Sequence, residues 1–129
     1  MIIHAPISVG ELFDKITILR VKNERLRDPE RRAHVAHELA LLEELAAGKV
    51  EVTDEIRGLV DELQQVNAGL WDIEDGKRAA ERTKTFDAAF IDLARQVYLQ
   101  NDRRAAVKKR INLLTGSEVV EEKSYDETS

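Results

Sequence analysis

Residues 86–114 read FDAAFIDLARQVYLQNDRRAAVKKRINLL, and the periodicity of this stretch decides the fold. Phe86, Phe90, Leu93, Val97, Gln100, Arg104, Val107, Ile111 and Leu114 follow one another at alternating intervals of 4 and 3. Those intervals return to one side of a helix with about 3.6 residues per turn, so the spacing predicts one amphipathic helix over 86–115. Thr85 or Asp87 can cap its start, and Gly116 can end it. Two polar residues, Gln100 and Arg104, interrupt the seam at its centre.

The preceding segment repeats the signal. Thr53 with Asp54 and Glu55 opens a helix predicted over 54–82, whose broad apolar face runs from Ile56 through Leu63 and Val66 to Ile73. Gly58, Gly69 and Gly76 fall inside it, each costing about 1 kcal/mol against Ala in an exposed helix interior. Further back, Ser8-Val9-Gly10-Glu11 is a capping box for a helix over 9–27. Its stripe is Val9, Leu12, Ile16, Leu19, Asn23 and Leu26. Asp28-Pro29 stops that helix and starts the next, over 30–47, with Ala36, Leu39, Leu42 and Leu45/Ala46 on one face. Gly48 is read as its terminator.

Four helices on short connections predict an all-α chain, an antiparallel four-helix bundle forming a single domain over 1–129. The first two helices have roughly 18 residues (about 28 Å) and the last two roughly 28 (about 42 Å). The helix 3–helix 4 hairpin therefore overhangs, and its bare apolar end predicts a homodimer. The tail over 117–129 is acidic. Its first half can pair as a short strand with Ile2-Ile3, while its end is expected to be loose.

The composition excludes several classes. Cysteine is absent, which removes disulfides and thiolate metal sites and fits a cytoplasmic location. No apolar run approaches the ~20 residues of a membrane span, and MIIHAPISVGE does not read as a signal peptide. A net charge of −5 argues against general nucleic-acid binding. The basic clusters Arg103-Arg104 and Lys108-Lys109-Arg110 read as a solvated helix face. No phosphate loop or nucleophile elbow occurs, so no cofactor is implied.

Candidate chemistry collects around LWDIED, residues 70–75. Asn67, Trp71, Glu74, Arg78 and Glu81 form a second stripe on the third helix, with Glu74 and Arg78 in the favourable i, i+4 order. Tyr98, Asn101 and Lys108 flank Gln100 and Arg104 on the fourth. A hairpin turning near residue 84 sets residue 70 opposite 98 and residue 67 opposite 101. The first helix adds the polar break Asn23 beside Arg20 and Lys22. Buried polar groups cost stability unless they are bonded, so two readings stand. In one, the layer fixes helix register, as a lone polar residue does in coiled coils. In the other, it lines a pocket for an anionic ligand. An enzymatic version has Arg104 and Lys108 hold the anion, Glu74 act as acid or base, and Trp71 stack. His34 and His37 are spaced to chelate but lack a third ligand, so no metal site is read.

GELFDKITILRVKNERL, VNAGLWDIED, FIDLARQVYLQNDRRAAVKKRIN and VEEKSY together resemble a small bacterial family known only as a domain of unknown function. The resemblance implies that VEEKSY belongs to the ordered domain. It also implies a setting in surface-polysaccharide biosynthesis, near glycosyltransferase-type proteins. The LW..ED and N.RR pair looks like a second uncharacterised helical family from similar settings. ELFDKITILRVKNER is similar to the first helix of the all-helical chorismate mutases, implying as an alternative a rearrangement or lyase step on an anionic small molecule. The leading expectation is a helical binding or accessory protein with a possible protein partner.

Overall fold

The computed structural model describes residues 1–122. Four helices build it: α1 (Val9–Arg25), α2 (Pro29–Lys49), α3 (Asp54–Thr83) and α4 (Ala88–Thr115). Among the described residues there is no strand. The terminal pairing expected for Ile2-Ile3 does not form, and both side chains stand in solvent.

α1 is the axis of the molecule. It packs against each of the other three helices, whereas the backbone of α2 approaches that of α1 alone. The reason is legible in two stripes rather than one. Leu12, Ile16 and Leu19 are buried as the apolar spacing requires. A second row, Gly10, Asp14, Thr17 and Val21, is spaced 4, 3, 4 and is equally buried. Leu12, Phe13 and Ile16 meet Ile56, Val60 and Leu63 of α3, Val107 and Ile111 of α4, and Ala46 of α2 in one core. Full burial of each large aliphatic side chain stabilises by about 1.5–3 kcal/mol.

Arg110 of α4 bonds Glu55 of α3, Arg103 bonds Glu62, and Leu93 lies against Gly76. Numbers on α4 fall as numbers on α3 rise, so the two helices run in opposite directions over these contacts. α3 is unbroken through its three glycines. At Gly76 the missing Cβ leaves room for Leu93, whose Cδ1 lies 2.9 Å from where that Cβ would sit. Lys84 closes α3 in the left-handed conformation at φ 53°, and the Asp87 carboxylate then caps α4 by accepting from the Phe90 amide.

α2 departs from expectation at both its end and its face. Gly48 lies inside the helix, which runs to Lys49 and is capped by Val50; Gly116 is the chain's positive-φ glycine. Of its apolar face only Ala46 is buried, while Leu45 is 45% exposed. With one neighbouring helix instead of two, α2 leaves Leu39 and Leu42 only partly covered against the core.

The α3–α4 hairpin projects past α1. Arg25, the last residue of α1, bonds Asp72 of α3, and α3 continues to Thr83. Among residues 68–106 none is buried.

Gly10 is the tightest backbone approach. A Cβ there would meet the Lys108 carbonyl oxygen at 2.5 Å and Asn112 Oδ1 at 2.9 Å. Gly10→Ala should lower stability by about 1–3 kcal/mol through overpacking. Gly58 has nothing within 4 Å, so Gly58→Ala should raise stability by up to about 1 kcal/mol. Urea unfolding midpoints of the two variants check both signs.

Candidate functional site

At the centre of the polar layer is Asp14, a residue absent from the sequence-derived candidates. Its side chain is 1% exposed. Arg104 grips it in bidentate fashion, Nε to Oδ1 at 2.9 Å and Nη2 to Oδ2 at 2.6 Å. Asn67 donates to Oδ1 at 3.0 Å and to Thr17 Oγ1 at 3.0 Å. Asn101 Oδ1 accepts from Arg104 Nη1 at 3.3 Å, holding the guanidinium plane in place. Arg104 and Asn67 thus come from α4 and α3 to neutralise and solvate one carboxylate on α1. Among the described residues no buried side-chain nitrogen or oxygen lacks a hydrogen-bond partner.

A second cluster closes the start of α1. Ser8 Oγ accepts from the Glu11 amide at 2.9 Å, as the capping box requires. The next amides are satisfied from elsewhere in the chain: Val9 N–H donates to Ser117 Oγ and Gly10 N–H to Asn112 Oδ1 at 2.6 Å. Glu121 then receives the Ser8 hydroxyl at 2.5 Å and the Asn112 amide at 3.1 Å. Its carboxylate therefore sits at the positive end of the α1 dipole. Lys108 completes the group, 2.5 Å from Glu11 and 3.7 Å from Glu121. The first half of VEEKSY is thereby tied to the helices, and its remainder, from Lys123, lies outside the described residues.

The Glu121 carboxyl is held below the ordinary glutamate value. Partial burial acts in the opposite direction and is the largest single influence. It is outweighed by the Ser8 hydroxyl, the residue's own amide, the Lys108 charge and the Asn112 amide together.

Beside the Asp14 layer lies an open cleft of about 740 Å³ between α1, α2 and α3. Its walls include Ile18 and Val21 of α1, Val35 of α2, and Leu70 and Trp71 of α3, with Lys22, Arg31 and Arg78 as its cations. Asn67 and Arg104 form its floor, and Glu74, Asp75 and His34 also face it. Five of the eight sequence candidates therefore meet here: Asn67, Trp71, Glu74, Arg78 and Arg104. Asn101 reaches the layer only through Arg104. Lys108 belongs to the Glu11 cluster, and Tyr98 is 53% exposed on the projecting hairpin. Arg20 bonds Glu43, and Gln100 bonds Gln96.

The Glu74–Arg78 pair expected from i, i+4 spacing is not formed. Glu74 bonds Lys77 instead, at 3.3 Å, and Arg78 has no ion pair among the described residues. His37 is exposed on α2, and no three potential metal ligands gather among the described residues. Asp14, Thr17 and Glu11 were missed because a polar residue in a helical row looks like surface. The signal available was the row itself, Gly10-Asp14-Thr17-Val21, a second side of a helix already supplied with one apolar stripe.

Comparison with known proteins places the chain in a family. Residues 3–129 match the model described as "Family of unknown function (DUF6165)", and the chain belongs to that family. No curated protein and no solved structure matches it.

Two measurements test the layer and the clamp. Arg104→Met strands Asp14 with Asn67 as its closest remaining donor, so it should cost about 3–5 kcal/mol, the usual penalty for breaking a buried pair. Asp14→Leu combined with Arg104→Met should recover most of that loss in the same urea unfolding assay. For Glu121 the folded pKa lies below the unfolded one. The clamp's contribution is fully present above the unfolded value of about 4.3 and is lost as pH falls through the folded value. Because the side chain is 41% exposed, the effect is small. Glu121→Gln should flatten the acid limb of stability against pH, read as urea midpoints from about pH 5 to pH 3.

Proposed function

We propose that this chain is a helical binding protein that acts as a homodimer in the cytoplasm, not as an enzyme. The observation that carries the proposal is the projecting hairpin. Over its distal part α4 is apolar on two sides. Phe90, Leu93 and Val97 are half-buried, with Leu93 against Gly76 of α3. Ile91, Tyr98 and Leu99 are 58%, 53% and 41% exposed on the opposite side. A pair of helices cannot enclose its own apolar surface. A second copy of the same hairpin supplies the two missing helices of a four-helix arrangement, and a two-fold axis lets one surface serve both partners.

The charge pairing supports binding over catalysis. General acid–base chemistry needs groups within hydrogen-bond reach of a common reacting atom. The enzymatic reading used Arg104, Lys108 and Glu74. Each is bonded to a neighbouring side chain: Asp14, Glu11 and Lys77 respectively. Absence of cysteine fits the reducing compartment.

Sedimentation equilibrium tests the assembly. A dimer is expected at micromolar concentration, and Ile91→Glu with Tyr98→Glu should yield a monomer whose circular dichroism is unchanged. A parent protein that is monomeric at about 50 μM, well above the dissociation constants of stable dimers, overturns the proposal.

A further inference from the structure

The cleft between α1, α2 and α3 gathers several cations that form no ion pair among the described residues. The chain carries a net charge of −5, and most of its buried or half-buried cations are matched to acids. Beside Trp71 the half-buried Lys22 is not, and neither are two exposed arginines of the same cleft. Lys22, Arg31 and Arg78 face the cleft, and none has an ion-pair partner among the described residues. Trp71 also walls an adjoining depression, on the side of Leu26 and Asp75, that presents Arg27 and Arg32. These two arginines are likewise unpaired among the described residues. The acids that line the two hollows are fewer: Glu74 is engaged by Lys77, while Asp75 and Glu24 form no ion pair among the described residues.

Holding like charges around one concave surface is unfavourable unless an anion joins them. Arginine forks suit the planar, multidentate oxygen set of a phosphate, and three or more cations exceed what a single carboxylate requires. The interior of the cleft is otherwise apolar, with Ile18, Val21, Val35 and Leu70 beside the Trp71 ring. A flat ring buried there gains apolar contact and stacking, and stacking on an aromatic side chain tolerates any base. The volume of about 740 Å³ admits one nucleotide-sized molecule.

We infer that this cleft binds a nucleotide: a heteroaromatic ring against Trp71, with its di- or triphosphate held by Lys22, Arg31 and Arg78. The phosphate end lies toward the N-terminal half of α2, where Arg31 lines the same cleft as Lys22 of α1 and Arg78 of α3. Asp14 takes no part, since Arg104 already neutralises it.

Trp71 is the chain's single tryptophan, so its fluorescence reads this site alone. The experiment titrates the full chain with ADP, UDP, inorganic pyrophosphate and uridine, following Trp71 emission and, in parallel, heat of binding. Saturable quenching by a nucleoside diphosphate is expected, with at least tenfold weaker binding of pyrophosphate and of uridine. Arg31→Ala with Arg78→Ala should weaken the diphosphate at least tenfold by calorimetry, with the unfolding midpoint unchanged. Trp71→Phe should retain binding that Trp71→Ala loses. Absence of saturable binding at 1 mM diphosphate overturns the inference, as does an affinity unaffected by the double arginine variant. Equal affinity for pyrophosphate and diphosphate also overturns it, by reducing the cleft to a bare anion site. The result is separable from the dimer proposal: a monomer that binds nucleotide fails one and passes the other.

Discussion

A carboxylate that is 1% exposed, placed in the second turn of the central helix, sets the terms for everything packed around it. Left alone, an ionised Asp14 would carry a desolvation penalty of several kcal/mol. Arg104 from α4 and Asn67 from α3 must arrive at the same level of α1, with the guanidinium plane aligned to both carboxylate oxygens. Sliding either helix by one residue moves its donor about 1.5 Å along the axis and turns it about 100° around it, and the bidentate fork is lost. An apolar seam tolerates such slips far better, because leucines and valines can repack. The polar interruption in the α4 seam is therefore what makes one register of α1, α3 and α4 distinct from its neighbours. This is a specificity role rather than a large net gain in stability.

The same helix also gathers the two ends of the described chain. The amides opening α1 are satisfied by Ser8, Asn112 and Ser117, and Glu121 sits over them. Capping by residues about a hundred positions away is unusual, since helix starts ordinarily find their acceptors locally. Gly10 is what permits it: with no Cβ, α4 comes close enough for the Asn112 carbonyl to accept a buried amide. Closing so long a loop grows in entropic cost only as the logarithm of its length. Once Arg104 has fixed the register, the clamp at Lys108 and Asn112 follows one and two turns further along the same helix.

The helices themselves were legible because their signals are local. The 4–3 seam of α4, the Thr53 cap and the Asp28-Pro29 junction each declare themselves within a few residues, and α1, α3 and α4 start within two positions of expectation. Gly48 misled because a glycine near a helix end need not take the left-handed conformation; nothing at that position requires it. The hairpin register near residue 84 was within reach of simple counting, which brought Asn67 to the right level. The partner it meets was not. Asp14 and Thr17 are short polar residues on an amphipathic helix, where a solvated face is the usual meaning of such types. The row Gly10-Asp14-Thr17-Val21 hints at burial on a second side, but which groups meet it is a property of the neighbouring helices. Glu74 likewise had two basic residues in reach, Lys77 and Arg78, and spacing alone cannot choose between i+3 and i+4.

The closed layer and the open cleft share a wall, and the difference between them follows from how α2 is held. α1, α3 and α4 contribute side chains to a common core, whereas α2 gives one buried residue, Ala46, near its C-terminal end. Its first turns, carrying Arg31, His34 and Val35 along the cleft, have no buried side chain at all. Few buried contacts mean a low free energy of local opening. The side of the cleft that α2 forms is thus cheaper to displace than the floor, which is pinned by Asp14, Arg104 and Asn67. A cleft built this way keeps its floor rigid while the wall that carries Arg31 can adjust, so ordering α2 against the nucleotide we infer would draw on that molecule's own binding energy.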